Sequence, residues 1–207
     1  MPKPTFYNLS NEKKEVILYA LKKEFESHPI FEASVAGIVK RAGISRGSFY
    51  QYFEDLEDSF FTILELEIVE IHDIFINLIR KEKGNLFLAL KLYGNIVSDE
   101  IFKKEKYNLY RNRYLYWTCQ LEVKWKAFRK KGSKNHSGHH MYLNSDNTFP
   151  QQEVMNFLNA IIKKLIENLF TEEWDQKTFL KYYNQYINWI EHGLGTREEL
   201  YGAFLIV

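Results

Sequence analysis

One cysteine, four prolines and ten glycines among 207 residues set the first limits on this chain. Cys119 alone cannot close an intramolecular disulfide, and it lacks the partners for a zinc or iron–sulfur cluster. So few prolines and glycines leave little means of turning often, which favours long helices. No apolar run approaches the roughly 18 residues of a membrane span, and the opening MPKPTFYNLS has no signal-peptide apolar region. The expectation is a soluble, cytoplasmic, all-α protein in a reducing compartment, with no membrane partner.

What is abundant is aromatic: 16 Phe, 14 Tyr and 4 Trp bring that class to 16%. The net charge of +1 hides an uneven distribution. Residues 1–58 balance at −1, residues 103–134 at +9 and residues 151–207 at −3. Phosphate attraction would place nucleic acid on the basic middle segment. The plainer reading is that Lys103, Lys104, Lys106, Lys124, Lys126, Lys130 and Lys131 form the solvated face of helices.

Helical spacing organises most of the chain. Ser10 is a candidate N-cap for a helix to about residue 27, with Val16, Ile17, Ala20, Leu21 and Phe25 at core spacing, and His28-Pro29 ends it. Ser34 caps a short helix buried through Val35, Ile38 and Val39. Gly43 follows at a position needing positive φ. Ser45 caps the next helix, whose aromatic side is Phe49, Tyr50 and Phe53. One long helix is expected from Leu56 to Arg80, broken at Gly84-Asn85. Further helices are expected at about 86–98, 107–130, 151–170 and 175–193. Residues 131–150 read as a loop, either functional or disordered. The apolar tail Tyr201–Val207 has no helical period and reads only as packing.

The pair Ser34–Ala42 and Arg46–Tyr52, joined by Gly43-Ile44-Ser45, has the form of a helix-turn-helix, whose second helix presents its first residues to the major groove. Arg46 suits a guanine edge or a phosphate, and Gln51 suits adenine. Ser48, Tyr50 and Tyr52 supply hydroxyls for phosphate oxygens. Gly47 permits close approach to a duplex. Ser34, Lys40 and Ser45 complete the candidate DNA-binding set. An ordinary helical hairpin would show the same spacing.

The segment VAGIVKRAGISRGSFYQYFEDLEDSFFTIL, Val35 to Leu64, closely resembles the DNA-binding motif of the TetR family of bacterial transcription regulators. The resemblance implies a three-helix DNA-binding domain over residues 1–55. It also implies a helical ligand-binding and dimerisation domain over 56–207 that begins with a long fourth helix. The expected partners are a pseudo-palindromic double-stranded operator and a second copy of the chain, met through the last two helices. Members commonly carry a phosphate-gripping lysine at the start of the fourth helix. The matching residue here is Leu56, so a shallow salt dependence is expected.

A closer resemblance is to heme-responsive repressors of heme-efflux transporters. It runs through RGSFYQYFEDLEDSFF, VEIHDIFINL, YNLYRNRYLYWTCQLEVKW and LFTEEWDQKTF. It implies heme as the sensed ligand, with His72 as an axial iron ligand. The spacing of Ile68, His72, Phe75 and Ile79 puts His72 on an apolar face, where a core histidine bonded to a neighbour is the alternative. The second axial histidine of that branch is matched by Lys163. Replacement candidates are His136 first, then His139, His140 and Met141 in the loop, and several tyrosines. Arg129 to Lys134 could pair with heme propionates. His139-His140 lacks the further ligands of a zinc site.

An enzyme is not expected. The chain has no Glu-x-x-His pair, glycine-rich phosphate loop or Ser/His/Asp constellation. The expected function is a repressor released from its operator by heme, controlling heme efflux or detoxification. The alternatives are a repressor induced by a lipophilic cation or fatty acyl group, and a heme-storage protein with a vestigial motif.

Overall fold

In the computed structural model of the chain, the described residues are 1–133 and 152–193, the side chains of 68–72, 132–133 and 152 excepted. Every element among them is helical: α1 Pro4–Tyr7, α2 Asn11–Ser27, α3 Val35–Ala42, α4 Arg46–Tyr52, α5 Leu56–Lys81, α6 Leu86–Phe102, α7 Lys104–Leu115, α8 Cys119–Ser133, α9 Gln152–Thr171 and α10 Gln176–His192. No described helix is long and apolar enough to cross a membrane.

The caps explain most of the boundaries. The hydroxyls of Ser10, Ser34 and Ser45 accept backbone N–H groups of α2, α3 and α4, and Asp175 does the same for α10. His28 is extended ahead of Pro29 and closes α2. Gly84 (φ 83°) follows the end of α5 at the expected break. Two features depart from expectation. A short helix, α1, precedes the three expected helices of the N-terminal domain. The single helix expected over 107–130 is two, because Tyr116 leaves helical geometry and the Thr118 hydroxyl caps the Leu121 N–H at 3.2 Å.

Packing groups the described residues into two compact units, one of residues 1–73 and 101–133 and the other of 74–100 and 152–193. In the first unit, α2 to α4 share a core with the start of α5 and with α7 and α8. Leu21, Phe25, Ile38, Phe49, Phe53 and Leu64 are almost fully buried there. Much of the aromatic excess sits in this unit. Phe61 meets Trp125 at 5.5 Å, Phe128 at 5.6 Å and Trp117 at 6.2 Å between ring centroids.

The six lysines of the basic run other than Lys106 are exposed, as a solvated face requires. Lys106 is buried and lies 3.0 Å from Glu67 of α5. Lys22 reaches the same carboxylate at 3.1 Å, and the Tyr110 hydroxyl donates to it at 3.3 Å. Burial pushes the Glu67 carboxyl up, but hydrogen bonds from Lys106 and Lys22 outweigh it and hold it below the usual range.

In the second unit Tyr183 of α10 is buried, and its hydroxyl donates to the Leu90 carbonyl of α6 at 2.9 Å. Burial, first, and the nearby Tyr93 raise its phenol far above the ordinary value, so it stays a donor. Its ring occupies the space where a side chain on Gly94 would stand, so that a Cβ there would overlap the Tyr183 ring. Gly94→Ala is therefore expected to destabilise the protein by about 1–3 kcal/mol. Denaturant unfolding monitored by circular dichroism checks this, and a variant as stable as wild type would remove the close crossing.

Candidate nucleic-acid interface

The site is built from α3, a three-residue turn and α4. Gly43 takes φ 65° at the end of α3, a left-handed conformation that favours glycine, and Ile44 N–H closes back on the Val39 carbonyl at 3.1 Å. Ser45 then starts α4. Ile38, Ala42 and Phe49 are buried, so the two helices are held by their inner faces. Lys40, Ser45, Arg46, Gly47, Tyr50 and Gln51 are exposed, while Ser48 and Tyr52 are half-buried. The turn therefore brings most of the sequence-predicted set to the surface together.

Arg46 lies over the Tyr50 ring, its guanidinium carbon 5.8 Å from the centroid, with Nη2 3.5 Å from the phenolic oxygen. The contact gives a flexible cation a preferred direction at the start of α4. Ser45 and Ser48 hydroxyls are 2.9 Å apart, and Ser45 Oγ also accepts the Ser48 N–H at 3.0 Å. A Cβ on Gly47 would meet nothing closer than Ser45 Oγ at 3.7 Å. Among the described residues nothing requires a glycine there, and the position is open to close approach from outside.

Ser34 has a second role. Its hydroxyl accepts the Gly37 N–H at 3.1 Å and lies 3.2 Å from Glu24 Oε1, to which it donates. Glu24, on α2, is buried. It also accepts the Ser34 backbone N–H at 3.0 Å and the Arg41 guanidinium at 3.1 Å. Gly37 is needed for this approach, because a Cβ on it would overlap the Glu24 carboxylate. Glu24, Arg41 and Gly37 escaped the sequence reading. The available signal was an acidic residue between Leu21 and Phe25 on an otherwise apolar stripe, at a position a solvated charge would avoid.

Leu56, where family members commonly place a lysine, is half-buried against the core. With Arg41 turned to Glu24, Lys40 and Arg46 are the exposed cations of this segment that no carboxylate of the site claims. Beside the interface, a cleft of about 370 Å³ is lined by Ile30, Phe31, Leu56, Tyr116 and Leu121 and by the polar Asp55, Glu57, Thr118 and Gln120.

His72 belongs to α5, with its side chain outside the described residues, and His136, His139, His140 and Met141 lie wholly outside them. Lys163 is exposed on α9. Among the described residues no cluster of three or more His, Cys, Asp or Glu could hold a metal.

Residues 17–58 match the family model described as bacterial regulatory proteins, tetR family, and residues 86–193 match that described as tetracyclin repressor, C-terminal domain. No protein of curated function matches the chain. Among solved structures, a TetR family transcriptional regulator from Chloroflexus aurantiacus J-10-FL shares 20% identity at a TM-score of 0.50, covering 95% of this chain and all of its own. The fatty acid degradation regulator FadR from Bacillus halodurans shares 16% at 0.57, covering 87% of this chain and 96% of its own. NalD, the secondary repressor of the MexAB-OprM multidrug efflux pump in Pseudomonas aeruginosa, shares 14% at 0.56, covering 91% of this chain and all of its own. At these identities the likeness is one of fold.

Glu24 gives the interface a pH limit. Burial pushes its carboxyl up, but the Ser34 N–H, Arg41, the Ser34 hydroxyl and His28 together hold it below the ordinary glutamate value. A group with a lowered folded pKa stabilises fully above its unfolded pKa of about 4.3, and that stabilisation is lost as pH falls through the folded value. Glu24→Gln is expected to be less stable at neutral pH and to lose less stability between about pH 5 and 3 than wild type. Parallel acid-unfolding curves for the two proteins would show that the carboxylate carries no such linkage.

Proposed function

This chain belongs to the TetR family and is a DNA-binding transcriptional repressor, not an enzyme; we propose that it reads its operator through Arg46, Gly47, Ser48, Tyr50 and Gln51 of α4, as a dimer released by heme. The observation that carries the DNA reading is the exposed start of α4, with Arg46 ordered over Tyr50 above a buried inner face. Lys40, Ser45, Tyr52 and the helix N-termini would fix the docking on phosphates. Two recognition helices about 34 Å apart would meet successive major grooves of a pseudo-palindrome. For the dimer, α9 leaves Val154 and Phe157 exposed one turn apart, an apolar edge suited to a second copy.

The heme reading rests on sequence likeness and on the apolar spacing of Ile68, His72, Phe75 and Ile79 along α5. A neutral imidazole in an apolar setting is a good iron ligand. Lys163 fits the second axial role poorly, because an exposed ammonium is strongly hydrated. Heme, when bound, supplies an iron for the imidazole and two propionates for basic side chains. Release requires that it favour the non-DNA-binding state, and a coupling of roughly 1–3 kcal/mol is typical.

A second reading keeps the repressor and changes the inducer. The cleft beside α5 combines Phe31, Tyr116 and aliphatic walls, while its Glu57 pairs with Lys124 and its Asp55 accepts the Asp58 N–H, a lining suited to an apolar ligand such as a fatty acyl group.

Arg46→Ala is expected to weaken binding to a duplex selected by wild-type protein from a random pool by about 10- to 100-fold, measured by fluorescence anisotropy. Unchanged affinity would remove Arg46 from the interface. Hemin titration should give a sharp Soret band that saturates near one heme per subunit in wild type and is disrupted in His72→Ala. A broad, unsaturable spectrum that the substitution leaves unaltered would sink the heme reading and favour another hydrophobic inducer.

A further inference from the structure

The last turn of α4 does not end in solvent. An α-helix leaves its final four carbonyls without partners of its own, and in a helix of seven residues that is more than half of the element. Here all four are engaged. The Phe49 carbonyl accepts the Phe53 N–H at 2.9 Å, a local closure. The other three are met by one short segment near the start of the chain. Lys3 Nζ donates to the Tyr50 carbonyl at 2.9 Å, the Thr5 hydroxyl donates to the Gln51 carbonyl, and the Lys3 backbone N–H donates to the Tyr52 carbonyl at 2.7 Å.

The local sequence prepares this arrangement. Pro4 follows Lys3 and disfavours helical geometry there, so Lys3 is extended (φ −70°, ψ 157°) and its N–H faces outward. Pro4 then opens α1 at a position where a missing N–H is harmless. Phe6 is buried against Phe53 at 5.2 Å and Tyr52 at 6.3 Å, and Lys3 lies 3.5 Å from Glu54. The segment is thus anchored on the residues that follow α4 as well as on its carbonyls.

We propose that Lys3, Thr5 and Phe6 form a positioning clamp that sets the direction of the recognition helix and so sharpens operator discrimination. The proposal rests on α4 being the helix that enters the major groove. All three clamped carbonyls belong to Tyr50, Gln51 and Tyr52, whose side chains are candidates for phosphate and base contact. A change in their backbone direction moves those side chains directly. Lys3 and Thr5 act through α4 and need touch no DNA themselves.

The test compares Thr5→Val, Thr5→Ser and Lys3→Met in the full-length protein. Affinity is measured for a duplex selected by the wild type from a random pool and for a scrambled duplex of the same length, with thermal midpoints alongside. Thr5→Val and Lys3→Met are expected each to lose about fivefold on the selected duplex, as one hydrogen bond warrants, with scrambled-duplex affinity retained for Thr5→Val. Thr5→Ser should recover the wild-type ratio. Wild-type ratios in both deletion variants would overturn the clamp. So would an equal fall on both duplexes in Thr5→Val, or a failure of Thr5→Ser to recover. If the wild type selects no duplex, the recognition-helix reading falls first and takes the clamp's purpose with it.

Discussion

The buried carboxylate of Glu24 is the interaction on which the DNA-facing half of this protein depends. It joins α2 to both ends of α3, through the Ser34 N–H and hydroxyl at one end and Arg41 at the other. A buried carboxylate is tolerable only when its lone pairs are engaged, and here the Ser34 N–H, the Ser34 hydroxyl and Arg41 donate to it, with the His28 imidazole 3.8 Å away. Because α3 sets the turn at Gly43, and the turn sets α4, the direction of the reading helix passes back to one acid on α2. Gly37 has its place for the same reason, since any side chain there would push the carboxylate away.

A second buried acid repeats the device further along the chain. Glu67 gathers Lys22 from α2, Lys106 and Tyr110 from α7, and holds them to α5. Replacing Glu67 itself would remove the acid that Lys22 and the buried Lys106 share, which is far more damaging than losing a surface pair. The packing of α7 and α8 with α2 to α4 in one compact unit follows from these contacts and from the rings around Phe61. Any rearrangement of α5 and α7 would therefore bear directly on the DNA-binding helices.

Most of the helical framework was legible in the sequence because its signals are local. Ser10, Ser34 and Ser45 cap neighbouring backbone groups, Pro29 constrains the residue before it, and Gly43 supplies its own positive φ. The exposed set on α4 followed from the same spacing. What escaped depends on contacts between residues far apart in sequence: Glu24 with Arg41, Lys106 with Glu67, and Lys3 with Tyr50. Periodicity reports which face a residue occupies, but not which partner waits there. The break at Tyr116–Thr118 was missed because neither glycine nor proline marks it, and only a threonine hydroxyl starts the next helix.

The scarcity of free cations around α4 has a consequence for how the protein is distributed in a cell. Arg41 is held by Glu24, and the start of α5 offers the half-buried Leu56 in place of a lysine. Sequence-independent attachment to a chromosome grows with the number of phosphates neutralised, and a genome presents on the order of a million or more competing sites. A weakly cationic reading head leaves a larger share of the protein unattached to that reservoir. An operator read by such a head would draw on a pool set more by synthesis than by bulk DNA, and any inducer acting on it would change promoter occupancy with little buffering by the chromosome.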